Sequence, residues 1–140
     1  MKKALAGIGL VVLATLATPA AAADEGAVYA SGNAMRMLAP YVHLIEAKGG
    51  VAVAKSALGT GQLVLDVLDG KAVAAAIAMS LPQAVAAARE AAWAEGRMLR
   101  VPDSIQFHPV AGLTVDGVAV GFVTIGTPPA RLQEVLAQLR

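Results

Sequence analysis

The sequence predicts an α/β domain of three layers built on a mainly parallel sheet. Two observations predict it: apolar runs of strand length alternate with helical patterns from residue 27 to residue 95, and each helical pattern opens on a loop rich in hydroxyl, amide or glycine residues. A third is compositional. Of 140 residues, 57% are hydrophobic and 15% charged, and the aromatic ones are Tyr29, Tyr41, Trp93, Phe107 and Phe122. The core must therefore be made of Ala, Val and Leu, residues that let elements pack closely.

Residues 1–23 carry a basic start at Lys2 and Lys3, an apolar run over 4–17 and the small-residue stretch Ala20-Ala21-Ala22-Ala23 before Asp24 and Glu25. This is the pattern of a cleaved secretory signal peptide, and its apolar run is short for a membrane span. Removing it takes away two lysines and no acid. The formal charge of +1 then becomes about −1 for residues 24–140, which are expected to form a single domain in the periplasm with no membrane insertion.

Ala27-Val28-Tyr29-Ala30 reads as a first strand ending in Ser31-Gly32-Asn33. Apolar Ala34, Met37, Leu38, Tyr41, Leu44 and Ile45 then follow at helical spacing over 34–47, with Asn33 as cap and Gly49-Gly50 as stop. Pro40 either kinks this helix or marks its true first turn. Residues 51–55 read as a second strand, followed by Gly59-Thr60-Gly61, a short helix over 62–68 and Gly70 in the C′ place. Residues 73–79 form a third apolar run, as for a strand buried on both faces. Ser80 caps the longest helix, over 82–95, with Pro82 in its first turn and Gly96 as stop. Trp93 is expected to anchor that helix on the sheet. Beyond Arg97 come strand-like segments over 98–101, 105–110 and 113–125, with Asp116-Gly117 as a hairpin turn. Leu132, Val135, Leu136 and Leu139 end the chain at i, i+3, i+4 and i+7, an amphipathic helix whose stripe is core or a docking face.

Several functions are excluded by composition. Without cysteine there are no disulfides, thiol nucleophiles, zinc–thiolate sites or lipid-modified leader junction. A near-neutral chain with scattered charge has no footprint for nucleic acid. His43 and Glu46 lie at a metal-ligand spacing without further ligands and read as a solvated helix face. His108 reads as structural or as an edge residue, and Asp66 and Asp69 as solvent-facing charges. Arg89, Arg97 and Arg100 could clamp an anion, although Arg89 reads as exposed. No nucleophile–base pair or carboxylate dyad emerges, so no enzyme and no cofactor are expected.

Three loops could carry chemistry: Ser31-Gly32-Asn33, Gly59-Thr60-Gly61 and Met79-Ser80-Leu81. In a parallel sheet all three fall beyond the carboxyl ends of the strands, where helix starts offer free N–H groups and partial positive charge to oxyanions. Singly, each also reads as an ordinary cap or turn. The segments VYASGNAM, VAVAKSALGTGQLVLDVLDGKAVAAAIAMSLPQ and FHPVAG…DGVAVGFV resemble the phosphate-type substrate-binding proteins of ABC transporters. The resemblance spans most of residues 27–123 and implies one lobe of a type II periplasmic-binding-protein fold, in single-lobe or truncated form. It implies non-catalytic binding of a small, phosphate-like oxyanion by Ser31, Gly32, Asn33, Gly59, Thr60, Gly61 and Ser80. A membrane transporter or a second copy of the chain would be the partner. Two departures stand out: residues 71–76 lack the acidic residue such proteins place there, and a second lobe is missing. They favour an alternative, an envelope interaction module that keeps the lobe without a working ligand site and pairs as a homodimer.

Overall fold

Alternating burial organises the first strand, β1 (Ala27–Ala30): Val28 and Ala30 are fully buried, while Tyr29 between them is half-buried and packs on the opposite side. The computed structural model describes residues 26–140. The signal peptide expected over 1–23 lies outside the described residues.

Helix α1 follows in two α-helical segments, Gly32–Leu38 and Val42–Gly49, joined by the 3-10 turn Ala39–Tyr41. Pro40 sits at the start of that turn, where its missing N–H costs least, so it breaks the helix rather than opening it. The cap is Ser31, not the expected Asn33: its Oγ accepts the Ala34 N–H at 3.3 Å. Gly50 ends α1 in the left-handed region, φ 70°, as a C′ glycine does.

The short strand β2 (Ala52–Lys55) leads to α2 (Thr60–Leu68), and β3 (Ala74–Ile77) leads to α3 (Leu81–Ala94). All four β3 residues are fully buried. Residues 98–101, expected as a strand, form none. The next strands are β4 (Ile105–Val115) and β5 (Val118–Ile125), and α4 (Ala130–Leu139) closes the chain.

The five strands run in the order β2-β1-β3-β5-β4. β1 pairs with β2 and with β3 in parallel, whereas β3–β5 and β5–β4 are antiparallel. The sheet is therefore mixed, not mainly parallel, and the reason lies in the hairpin. Asp116 (φ 52°) and Gly117 (φ 81°) both take positive φ, and Val115 pairs with Val118, the geometry of a two-residue type I′ turn. β5 must then run against β4. It also takes the inner place beside β3, because Val120, Phe122 and Val123 are all buried, whereas β4 exposes Gln106, Pro109, Ala111 and Thr114, a pattern suited to an edge.

Helices cover both faces of the sheet. On the first, Val28, Ala30, Ala74, Ala76, Val120 and Phe122 meet Leu38 and Ile45 of α1 and the α4 stripe Leu132, Val135, Leu136 and Leu139. Burying each of those α4 side chains stabilises the fold by about 1.5–3 kcal/mol. Arg131 ties α4 to the end of α1 by donating to the carbonyls of Ala47 (2.9 Å) and Lys48 (3.1 Å). On the second face, Ala75, Ile77 and Val123 meet Leu63, Val64 and Val67 of α2 and Ala84 and Ala88 of α3. Trp93 departs from expectation. It is 70% exposed in the last turn of α3, so the helix is anchored by its small Ala face instead.

Candidate functional site

Because β1, β2 and β3 are mutually parallel, the loops that follow them leave the same edge of the sheet. The first is fastened to its neighbours by the backbone: Ser31 N donates to Ala76 O at 3.0 Å, and Ser56 N donates to Ala30 O at 2.9 Å. From that edge the chain departs in opposite senses. α1 packs on the first face, and α2 and α3 pack on the second. The boundary between β1 and β3 is thus a topological switch point, the place where open α/β sheets leave a crevice.

The predicted residues divide by what occupies their polar atoms. Ser31 spends its N–H on Ala76 and its Oγ on Ala34. Gly32 and Asn33 are exposed, and their backbone N–H groups, in the first turn of α1, have no partner among the described residues. The Asn33 side chain is engaged, its Oδ1 accepting from Arg36 at 3.1 Å. Gly59 is the cap of α2 without a side chain, and its carbonyl accepts from Gln62 (3.0 Å) and Leu63 (3.2 Å). Thr60 is half-buried, and its hydroxyl bonds to no other described residue.

Gly61 is buried and has another task. A Cβ there would strike the carbonyl of Ala87 and lie 3.2 Å from the Ala87 side chain, so this glycine lets α2 and α3 approach. Ser80 caps α3: its Oγ accepts the Gln83 N–H at 3.3 Å and donates to Gln83 Oε1 at 3.2 Å. With Pro82 lacking an N–H, the backbone donor left at the start of α3 is that of Leu81. The groups without a partner among the described residues are the N–H groups of residues 32, 33, 60, 61 and 81, and the Thr60 hydroxyl.

Lys55 is the residue that sequence reasoning passed over. It ends β2, is exposed, and its Cε lies 3.9 Å from where a Gly32 Cβ would be. It makes no ion pair among the described residues. Its signal in the sequence is a lysine closing a strand that points at the loop cluster.

Other predicted features resolve as structure. His43 is exposed, but Glu46 is not on a solvated face: its Oε2 accepts the Val53 N–H at 2.9 Å and fastens α1 to β2. Asp66 accepts from Gln62 at 3.0 Å, and Asp69 holds Arg97 at 3.2 Å, which takes Arg97 out of any anion clamp. Arg89 is exposed and donates to the carbonyl of Leu99. His108 lies on edge strand β4 with Nε2 2.9 Å from Thr124 Oγ1. Burial, and then the charge of Arg140, push its pKa below the ordinary histidine value. Among the described residues no group of three or more His, Asp or Glu could hold a metal, and no helix is long and apolar enough to cross a membrane.

These features define an α/β domain with a five-strand mixed sheet and a switch-point edge. Comparison with protein-family models, with curated proteins and with solved structures finds no match for the chain.

Proposed function

We propose that the protein binds a small oxyanion such as phosphate without catalysis, as a periplasmic substrate-binding component of ABC-type transport. The observation that carries this reading is the shared edge: three parallel strands deliver three helix starts to one switch point, with the free N–H groups of Gly32 and Asn33 beside Lys55. Net charge would not draw an anion to the domain, so the attraction has to be local. Helix-start N–H groups and one lysine supply it at short range, where salt screens least. The resemblance to one lobe of a phosphate-type binding protein supports the same reading.

Calorimetric titration of the protein with phosphate, sulfate and small carboxylates tests it. The expected result is saturable heat with at least one oxyanion, weakened by Lys55→Ala. Absence of heat with all of them at millimolar concentrations would sink the reading.

A second reading is favoured by a specific observation. Ser31, Ser80 and Gly61 are already committed to capping and helix packing, while Trp93 and Met98 stand 70% and 86% exposed. These features favour an envelope interaction module that keeps the lobe without using its edge. Sedimentation equilibrium separates the two: a concentration-independent monomer that binds phosphate contradicts the module.

A further inference from the structure

The chain holds two Asp-Gly pairs, Asp69-Gly70 and Asp116-Gly117, and the fold treats them in opposite ways. Such a pair can rearrange because glycine has no side chain to hinder approach of its backbone nitrogen to the preceding carboxyl carbon. Ring closure needs a carboxyl group free to turn and a glycine N–H not held by a carbonyl. It also needs the aspartate at ψ of about −120°, the value of the first central residue in a type II′ turn. At Asp69 none of these is available. Its carboxylate accepts from Arg97 at 3.2 and 3.3 Å, and its side chain is 26% exposed. Its ψ is 1°, the Gly70 N–H donates to the Val67 carbonyl at 3.1 Å, and Lys71 N–H donates to that of Asp66 at 2.8 Å. Turning the peptide would break the bonds that end α2.

At Asp116 the first two conditions are met. Both residues of the pair are exposed, the Asp116 carboxylate has no ion pair among the described residues, and the Gly117 N–H meets no backbone carbonyl. The third is one peptide rotation away. Type I′ and type II′ turns share positive φ at the first central residue and differ in the orientation of the central peptide. Asp116 already has φ 52°, and glycine at 117 admits either sign of φ. The hairpin tip is free to make that rotation, because the pairing slips between Pro109 and Thr114. The pairs Thr114–Ala119 and Val115–Val118 are left to hold it.

We propose that Asp116-Gly117 is a self-modification site, where the turn converts to an isoaspartyl linkage through a succinimide, and that Arg97 shields Asp69-Gly70 from the same reaction. In the first step the Gly117 nitrogen bonds to Asp116 Cγ, and the carboxyl hydroxyl leaves as water with the amide proton. In the second, water adds to the main-chain carbonyl carbon of Asp116, and the bond from that carbon to the Gly117 nitrogen breaks. The chain then runs through Cγ, and the former main-chain carbonyl is a free carboxylate. The net change is an isomerisation, with no oxidant, reductant or cofactor. It adds one methylene to the main chain of a two-residue loop whose length sets the register of β4 on β5. The proposal goes beyond the oxyanion reading and does not rest on it.

The test incubates the protein for weeks at mildly acidic pH and digests it. Peptides carrying residues 69 and 116 are separated by liquid chromatography, and isoaspartate is assigned by electron-transfer mass spectrometry. Isoaspartate should form at residue 116 roughly tenfold or more faster than at residue 69, where opening breaks a hydrogen bond and a charge pair. In denaturant the two sites should react at similar rates, since each is an aspartate followed by glycine. Arg97 is exposed, so Arg97→Ala keeps the fold; it should speed residue 69 severalfold and leave residue 116 unchanged. Equal rates at the two sites in the folded protein overturn the proposal. So does a rate at residue 116 far below its rate in denaturant, or an Arg97→Ala protein in which residue 69 stays as slow as before.

Discussion

The parallel and antiparallel halves of the sheet handle their polar groups differently. In the parallel half, Ser31 and Ser80 bond to residues three positions ahead, so each hydroxyl completes its own helix. In the antiparallel half, the buried Thr124 hydroxyl meets His108, sixteen positions away, across two strands. Local bonds of the first kind form wherever the helix forms. The second kind exists only when β4 and β5 are both in place. The difference teaches that side-chain hydroxyls cost little to remove from the parallel half, which is held by packing, and more from the antiparallel half, where they join elements.

Gly61→Val offers the largest expected effect. A branched side chain would collide with the Ala87 backbone and force α2 away from α3, costing about 3 kcal/mol or more in chemical denaturation. A loss below 1 kcal/mol would mean that helix packing does not hold the parallel half. Thr124→Val comes next, because it keeps the shape but deprives His108 of its partner, at about 1–2 kcal/mol. Ser80→Ala, measured the same way, should cost about 0.5–1 kcal/mol. If Ser80→Ala proves costlier than Thr124→Val, the contrast between local and joining hydroxyls is wrong.

The smallest effect is in pH. The folded state holds the His108 pKa below its unfolded value through burial and then Arg140, so the unfolded chain binds the proton more readily. The stability His108 contributes is complete above the unfolded pKa, about 6.5, and is lost as the pH falls toward the folded value. The denaturation midpoint of the wild type should therefore drop more than that of His108→Gln between about pH 7.5 and pH 5. Equal slopes in the two proteins would remove His108 from the account.

The same two halves differ in how far the sequence alone reveals them. β1, β3, α3, α4 and the Asp116-Gly117 turn are visible because periodicity, a proline in the first turn and a two-residue turn motif each have one structural solution. The neighbour of β3 is not visible. A run such as residues 118–125 is doubly buried whether it lies parallel or antiparallel, and only pairing decides. Caps are ambiguous for a similar reason: Ser31 and Asn33 are both good capping residues, and extended backbone at Ser31, with ψ 161°, selects it.

At the candidate edge, the sequence placed the three loops together but could not say which polar atoms were already used. Gly61 looked like a glycine that admits a ligand. It admits Ala87 instead, and the small-residue face of α3 was the available sign. Trp93 misled because size suggests burial, yet the Ala face of its helix is the one that fits against α2 and β3.

Each margin of the sheet carries a feature that opposes a further strand. At β2 the Val53 N–H points away from β1, since Ala52 and Ser56 donate inward, and Glu46 occupies it. At β4, Pro109 offers no N–H, and the pairing slips between Pro109 and Thr114 around Gly112 at φ 79°. Pairing of folded copies edge to edge is therefore opposed at one position of each margin. Glu46→Leu would return the Val53 N–H to that margin and leave β2 open to a further strand there.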